Sequence, residues 1–136
     1  MATSTRTPIN ARLRNRASAA FGAVVAALAV WVLADPVLGY DLGVEQSGRS
    51  TMTVSAPIVL VAALVASLAG WAALAILERF THRAGRFWAV GAIVVLVASI
   101  GMPLAASTTT STALILSLMH VAVGAILIPA LARSTR

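Results

Sequence analysis

Four continuous apolar runs, each close to twenty residues, decide what this chain can fold into. They cover residues 17–38 ("ASAAFGAVVAALAVWVLADPVL"), 56–77 ("APIVLVAALVASLAGWAALAIL"), 87–104 ("FWAVGAIVVLVASIGMPL") and 112–131 ("TALILSLMHVAVGAILIPAL"). About 20 helical residues, rising ~1.5 Å each, cross a hydrocarbon core ~30 Å thick. The runs do not alternate apolar with polar, so they lack the signature of barrel strands. Of 136 residues, 10% are charged and 60% hydrophobic. A soluble domain carries about a quarter of its residues charged, and a chain this short cannot bury so much apolar surface in one core. The expected fold is therefore all-α, an integral membrane four-helix bundle with antiparallel neighbouring helices. The third run is the shortest and is expected to stand nearly upright.

Charge sets the expected orientation. Arg6, Arg12, Arg14 and Arg16 precede the first run, Glu78, Arg79, Arg83 and Arg86 lie in "ERFTHRAGR", and Arg133 and Arg136 follow the last run. The alternate connections hold Asp35, Asp41, Glu45, Arg49 and an uncharged turn, "AASTTTST". Nine basic and one acidic residue give +8 on one side, and one basic and three acidic give −2 on the other, which together make the chain's +6. By the positive-inside rule both termini and the 78–86 loop belong in the cytoplasm. Glu78, Arg79 and Arg83 are expected there as a solvated cluster. The chain then divides into a basic cytoplasmic tail (1–16), a single four-span domain (17–133) and a short cytoplasmic tail (134–136). Lipid headgroups account for the basic excess, so the bilayer is the expected partner and nucleic acid is not. The first run resembles a signal peptide near "LADP", but it exceeds the usual ~7–15 apolar residues and is read as a retained anchor. Phe80, Phe87 and Trp88 flank the 78–86 loop at headgroup depth, where aromatic rings settle.

Chemistry has few residues to work with. The chain has no cysteine, which excludes disulfides, thiolate nucleophiles, iron–sulfur clusters and cysteine-bound zinc. His82 and His120 fall on opposite sides of the expected membrane, and no carboxylate lies in the core of a run, Asp35 standing at the end of the first, so neither metal nor cofactor is expected. There is no GxSxG, no phosphate-binding glycine loop and no HExxH. Ser99 and His120 lack an orienting acid and an oxyanion donor. No enzymatic activity is expected.

Helices in lipid associate through close backbone approach and interhelical hydrogen bonds. Small residues at helical spacing nominate the contacts: Gly22 and Ala26 in the first run, Ala63 and Ser67 with Gly70 in the second, and Gly124 in the fourth. Ser117, His120 and Gly124 share one face. His120 lies ~12 Å in from Thr112, close to the midplane. Pro103 has no N–H to give to the Ser99 carbonyl, so an orphan acceptor on the third run should sit near the depth of the imidazole. A hydrogen bond from His120 to the Ser99 region is the expected arrangement, and a ligand or proton site is the competing reading. Asp35, before Pro36, ends the first run in the headgroups, or else marks a cation or proton entry at the outer rim.

The layout resembles a family of small, uncharacterised four-span membrane proteins of high-GC Gram-positive bacteria, a domain of unknown function. The likeness spans roughly residues 17–133 and rests on the Arg-rich start, "LGYDLGV", "ERFTHRAGRFW", "ASIGMPL" and "LMHVAVGAILIPAL". It implies a four-helix membrane fold in the bacterial plasma membrane and draws attention to Ser99, Pro103 and His120. It brings no activity, substrate or cofactor. Two functions are carried forward. One is a structural or accessory bundle that binds a membrane partner or itself as a homo-oligomer. The other is a small transporter or channel subunit with His120 lining the pathway. The face of His120 discriminates: packed side chains favour the first, an open polar cavity the second.

Overall fold

A computed structural model describes residues 9–45 and 51–135. The charges expected at Arg6, Arg49 and Arg136 lie outside the described residues. Helix α1 runs Ile9–Val32 and continues through a π-turn, Leu33–Val37; α2 is Ala56–Phe80, α3 is Ala84–Ala106 and α4 is Thr110–Arg133. All four are long and apolar enough to cross a membrane.

The helices overrun their apolar runs because helix propensity does not stop where hydrophobicity does. The expected tail is helical from Ile9, since "INARLRNR" contains no glycine or proline. At the other end the chain passes Pro36 by widening into the π-turn, where Leu38 N–H reaches the Leu33 carbonyl at 3.0 Å. A widened turn accommodates a residue that has no N–H to give. Gly39, at φ 73°, then leaves the helix in the left-handed region that glycine enters without strain. Helix α3 reaches 23 residues, longer than its apolar run and still the shortest of the four helices. In α4 the Thr109 hydroxyl caps the start by accepting from Thr112 N–H at 3.1 Å, satisfying one of the free amides there.

Helix α4 packs against α1 and α3, and α2 packs against α1 and more lightly against α3. Two buried clusters divide the interior. Val24, Ala27, Leu42, Val59, Leu116 and Met119 belong to one, and Ala23, Leu74, Trp88, Leu127 and Leu131 to the other. Many large apolar side chains point outward, among them Phe21, Val94, Val97 and Met102. Lipid tolerates such a surface and water does not.

One end of the bundle is capped. The α1–α2 connection there forms a two-residue antiparallel pair, β1 (Gly43–Val44) with β2 (Met52–Thr53). It is pinned to the α3–α4 turn by Glu45 N–H to the Ala106 carbonyl (2.8 Å) and by the Thr108 and Thr112 hydroxyls to the Gly43 and Asp41 carbonyls (3.0 and 3.1 Å). Leu42 is fully buried beneath this cap. A Cβ on Gly43 would stand 2.8 Å from Thr108 Oγ1, so the close seat requires a glycine.

Candidate functional site

The expected bond between helices α3 and α4 is replaced by bonds within each helix. His120 Nδ1 lies 2.7 Å from the Leu116 carbonyl, four residues back on α4. Ser99 Oγ donates to the Leu96 carbonyl at 2.7 Å, and Ser67 and Ser117 donate to the Ala63 and Ala113 carbonyls, each at 2.7 Å. A short polar side chain finds its own preceding turn before it can reach another helix. Pro103 is buried and α3 continues past it, with Ser107 N–H returning to the Pro103 carbonyl at 3.1 Å. Asp35 sits half-buried in the π-turn, its carbonyl accepting from Gly39 N–H at 2.9 Å.

Two of the candidate polar-site residues border the same space. Ser99 and His120 line one cavity of about 720 Å³, bounded by α2 and α3 and floored by α4. Asp35, Pro103 and Ser117 do not line it. The α2 wall is made of Ala62, Ala66, Ala69 and Ala73, a stripe of small side chains at helical spacing that leaves room beside it. The cavity exists because α2 and α3, although joined by a short link, touch lightly along their length. Its polar side chains are Ser99, His120 and the indole of Trp88, and that indole is already engaged, donating from Nε1 to the Gly70 carbonyl at 2.8 Å. Trp88 thus turns its ring into the protein interior.

A carbonyl only accepts, so the Nδ1 facing Leu116 is the nitrogen that carries the hydrogen, which leaves the lone pair on Nε2 when the ring is neutral. Among the described residues Nε2 has no hydrogen-bond partner, and the one side-chain polar atom that is both unpartnered and fully buried is Ser107 Oγ. Nε2 is therefore open.

Of the packing residues, Ala63, Gly70 and Gly124 line this cleft. A Cβ on Gly124 would lie 2.7 Å from Leu96 Cδ2, and one on Gly70 3.5 Å from Trp88 Cζ2. Gly22 faces Ile126 of α4, with Ala26 half-buried beside it. Ala63 and Ser67 are buried. Gly85, not singled out from sequence, makes the tightest approach to backbone: a Cβ there would stand 2.7 Å from the Ala132 carbonyl oxygen. Its place in a loop-like stretch, "HRAGR", gives no signal of a helix contact.

At the end opposite the cap, a polar latch joins three helices. Arg16 of α1 pairs with Glu78 of α2 and donates from Nε to Ser134 Oγ, just past α4, at 3.0 Å. Glu78 therefore does not belong to the solvated cluster expected with Arg79 and Arg83. Its partner is 62 residues away, which local charge spacing could not reveal.

Residues 7–136 match a family of unknown function, DUF6069. The chain belongs to this family. The match extends past both ends of the resemblance drawn from the motifs and takes in Arg16 and Ser134 of the latch. Comparison of this DUF6069 protein with curated proteins and with solved structures gave no match. What the DUF6069 fold can do is therefore read from its own cleft.

Proposed function

We propose that this DUF6069 protein is a non-enzymatic accessory bundle of the bacterial plasma membrane, which receives a membrane partner in the cleft between α2 and α3. The observation that carries this reading is the cleft itself: long, apolar, and open between two helices that face lipid. In this arrangement neighbouring helices are antiparallel. Support comes from Arg16, early in α1, meeting Glu78 late in α2, while Trp31, late in α1, donates to the Val54 carbonyl just before α2 at 2.8 Å. The arginine-rich latch end faces the cytoplasm, with both termini, and the cap faces outward.

The transporter reading draws on the position of His120 in the cavity wall. Two features weigh against it. The walls offer few polar groups to a hydrated solute, and the cap is hydrogen-bonded across the end through which such a solute would leave. A lateral entrance suits a guest that travels in the bilayer.

The test is photo-crosslinking in native membranes from single cysteines bearing a short photoreactive group. Ala69→Cys faces the cleft and Val94→Cys faces outward. The cleft position should give adducts that the lipid-facing position does not. The same adducts in the same proportions at both positions would contradict a receiving cleft.

A further inference from the structure

We propose that the cleft binds an uncharged lipophile bearing a hydroxyl group, a quinol or an isoprenoid alcohol, whose hydroxyl donates to Nε2 of His120. This inference rests on the receiving cleft proposed above and names its occupant.

Size comes first. A cavity of about 720 Å³ falls within the ~300–1,000 Å³ of small-molecule sites. Along α2 the lining extends from Ile58 to Leu77, ~28 Å at a helical rise. Spread over that length and lined almost wholly by apolar side chains, the cleft has the elongated form that suits a chain-bearing lipid.

Polarity comes second. Each polar group in the cleft has committed its hydrogen elsewhere. Trp88 Nε1 donates to Gly70, Ser99 Oγ donates to Leu96, and His120 Nδ1 donates to Leu116. What remains toward the guest is acceptor capacity, the lone pair of Nε2 and those of the Ser99 hydroxyl. A guest that only accepts, such as a quinone, an ester or an ether, finds no donor. A guest with an O–H finds one or two acceptors.

Depth comes third. His120 is ten residues into α4, which begins at Thr110, ~15 Å along the axis and near the middle of a ~30 Å core. Phospholipid headgroups stay at the interface, and a charged group is costly at that depth. The hydroxyl must therefore come from a molecule with no charged head, one that dissolves in the bilayer interior and enters between α2 and α3.

The experiment is a binding titration of the purified full-length protein in nanodiscs, in two paired arms. One arm compares geranylgeraniol with its methyl ether, and the other compares a reduced menaquinol with the corresponding menaquinone under anaerobic conditions. The hydroxylated member of at least one pair should bind about tenfold more tightly, a difference of about 1.4 kcal/mol. The arm that shows the preference identifies the source. His120→Phe keeps a ring in the cleft and should erase the preference while the apolar body still binds. Ala66→Leu fills the cleft from an exposed helix position and should weaken every probe. Equal binding within both pairs would overturn the hydroxyl inference and leave the receiving cleft standing. Failure of all four probes to bind, with cleft-specific crosslinks still present, would overturn the lipophile as occupant.

Discussion

Replacing three glycines by alanine, one at a time, tests the packing of α3 and α4 with opposite expected signs. A Cβ at Gly85 would stand 2.7 Å from the Ala132 carbonyl oxygen and 2.5 Å from Thr135 Oγ1, where 3.4 Å is ordinary contact. The carbonyl is α4 backbone, so relief requires the helices to part by ~0.7 Å. Overpacking of this kind costs about 1–3 kcal/mol, against a helix gain for alanine of about 0.5–1 kcal/mol that is smaller in a first turn. Gly85→Ala should be destabilising by roughly 0.5–2 kcal/mol on those magnitudes. At Gly124 the clash, 2.7 Å, is with a methyl of Leu96, which can rotate away, and the net effect should stay within about 1 kcal/mol of zero. Gly91 has no neighbour within 4 Å of a Cβ, so Gly91→Ala should stabilise by about 0.5–1 kcal/mol. Thermal unfolding in one fixed detergent, followed by circular dichroism, should rank them Gly91→Ala, Gly124→Ala, Gly85→Ala from most to least stable. Gly85→Ala melting at or above Gly91→Ala would refute the close contact of α3 with the end of α4.

Three further outcomes follow from the hydrogen bonds and charges. His120→Leu removes only a bond within α4, and the Leu116 carbonyl keeps its place in the helix ladder, so stability should change by less than about 1 kcal/mol; a loss above about 2 kcal/mol would signal a partner on another helix. Arg16→Leu should destabilise by about 1–2 kcal/mol, because it strips both Glu78 and Ser134 of a donor. Glu78→Gln should cost less, since Glu78 remains 29% exposed; chemical denaturation in detergent compares the two. Finally, in this cysteine-free chain, an impermeant thiol reagent applied to intact cells should label Thr109→Cys and spare His82→Cys, and labelling of the latter would reverse the orientation.

The apolar runs and the arginine positions are enough to foresee four membrane-length helices, because length and hydropathy are local properties. The helix ends are not legible in the same way. Ile9 to Arg16 is polar yet helical, since propensity carries on where hydrophobicity ends, and Pro36 bends α1 into a π-turn rather than stopping it. The site is legible in part. His120 and Ser99 stand out as polar residues within apolar runs, and they share a cavity, but their hydrogen bonds stay within their own helices. A proline-freed carbonyl attracts notice in a sequence, while the competing carbonyl one turn back is present in every helix. The cleft leaves a trace in the alanines of α2. In so alanine-rich a chain, however, Ala62, Ala66, Ala69 and Ala73 look like any other packing stripe. Whether such a stripe touches a neighbour or lines a gap depends on how α2 and α3 diverge, which no local pattern encodes. The pairing of Arg16 with Glu78 is invisible for the same reason.

The nitrogen resonances of His120 test the central claim most directly, with His82, an exposed loop residue, as control in the same molecule. In protein labelled with ¹⁵N-histidine, the two ring nitrogens of His120 should be distinct, Nδ1 protonated and Nε2 bare. Adding the tighter-binding hydroxylated probe should move Nε2 of His120 in the direction of an accepted hydrogen bond, leaving its Nδ1 and both nitrogens of His82 in place. A protonated Nε2 before addition, or an Nε2 that does not respond when the probe is bound, would contradict the assignment of His120 as the acceptor in the cleft.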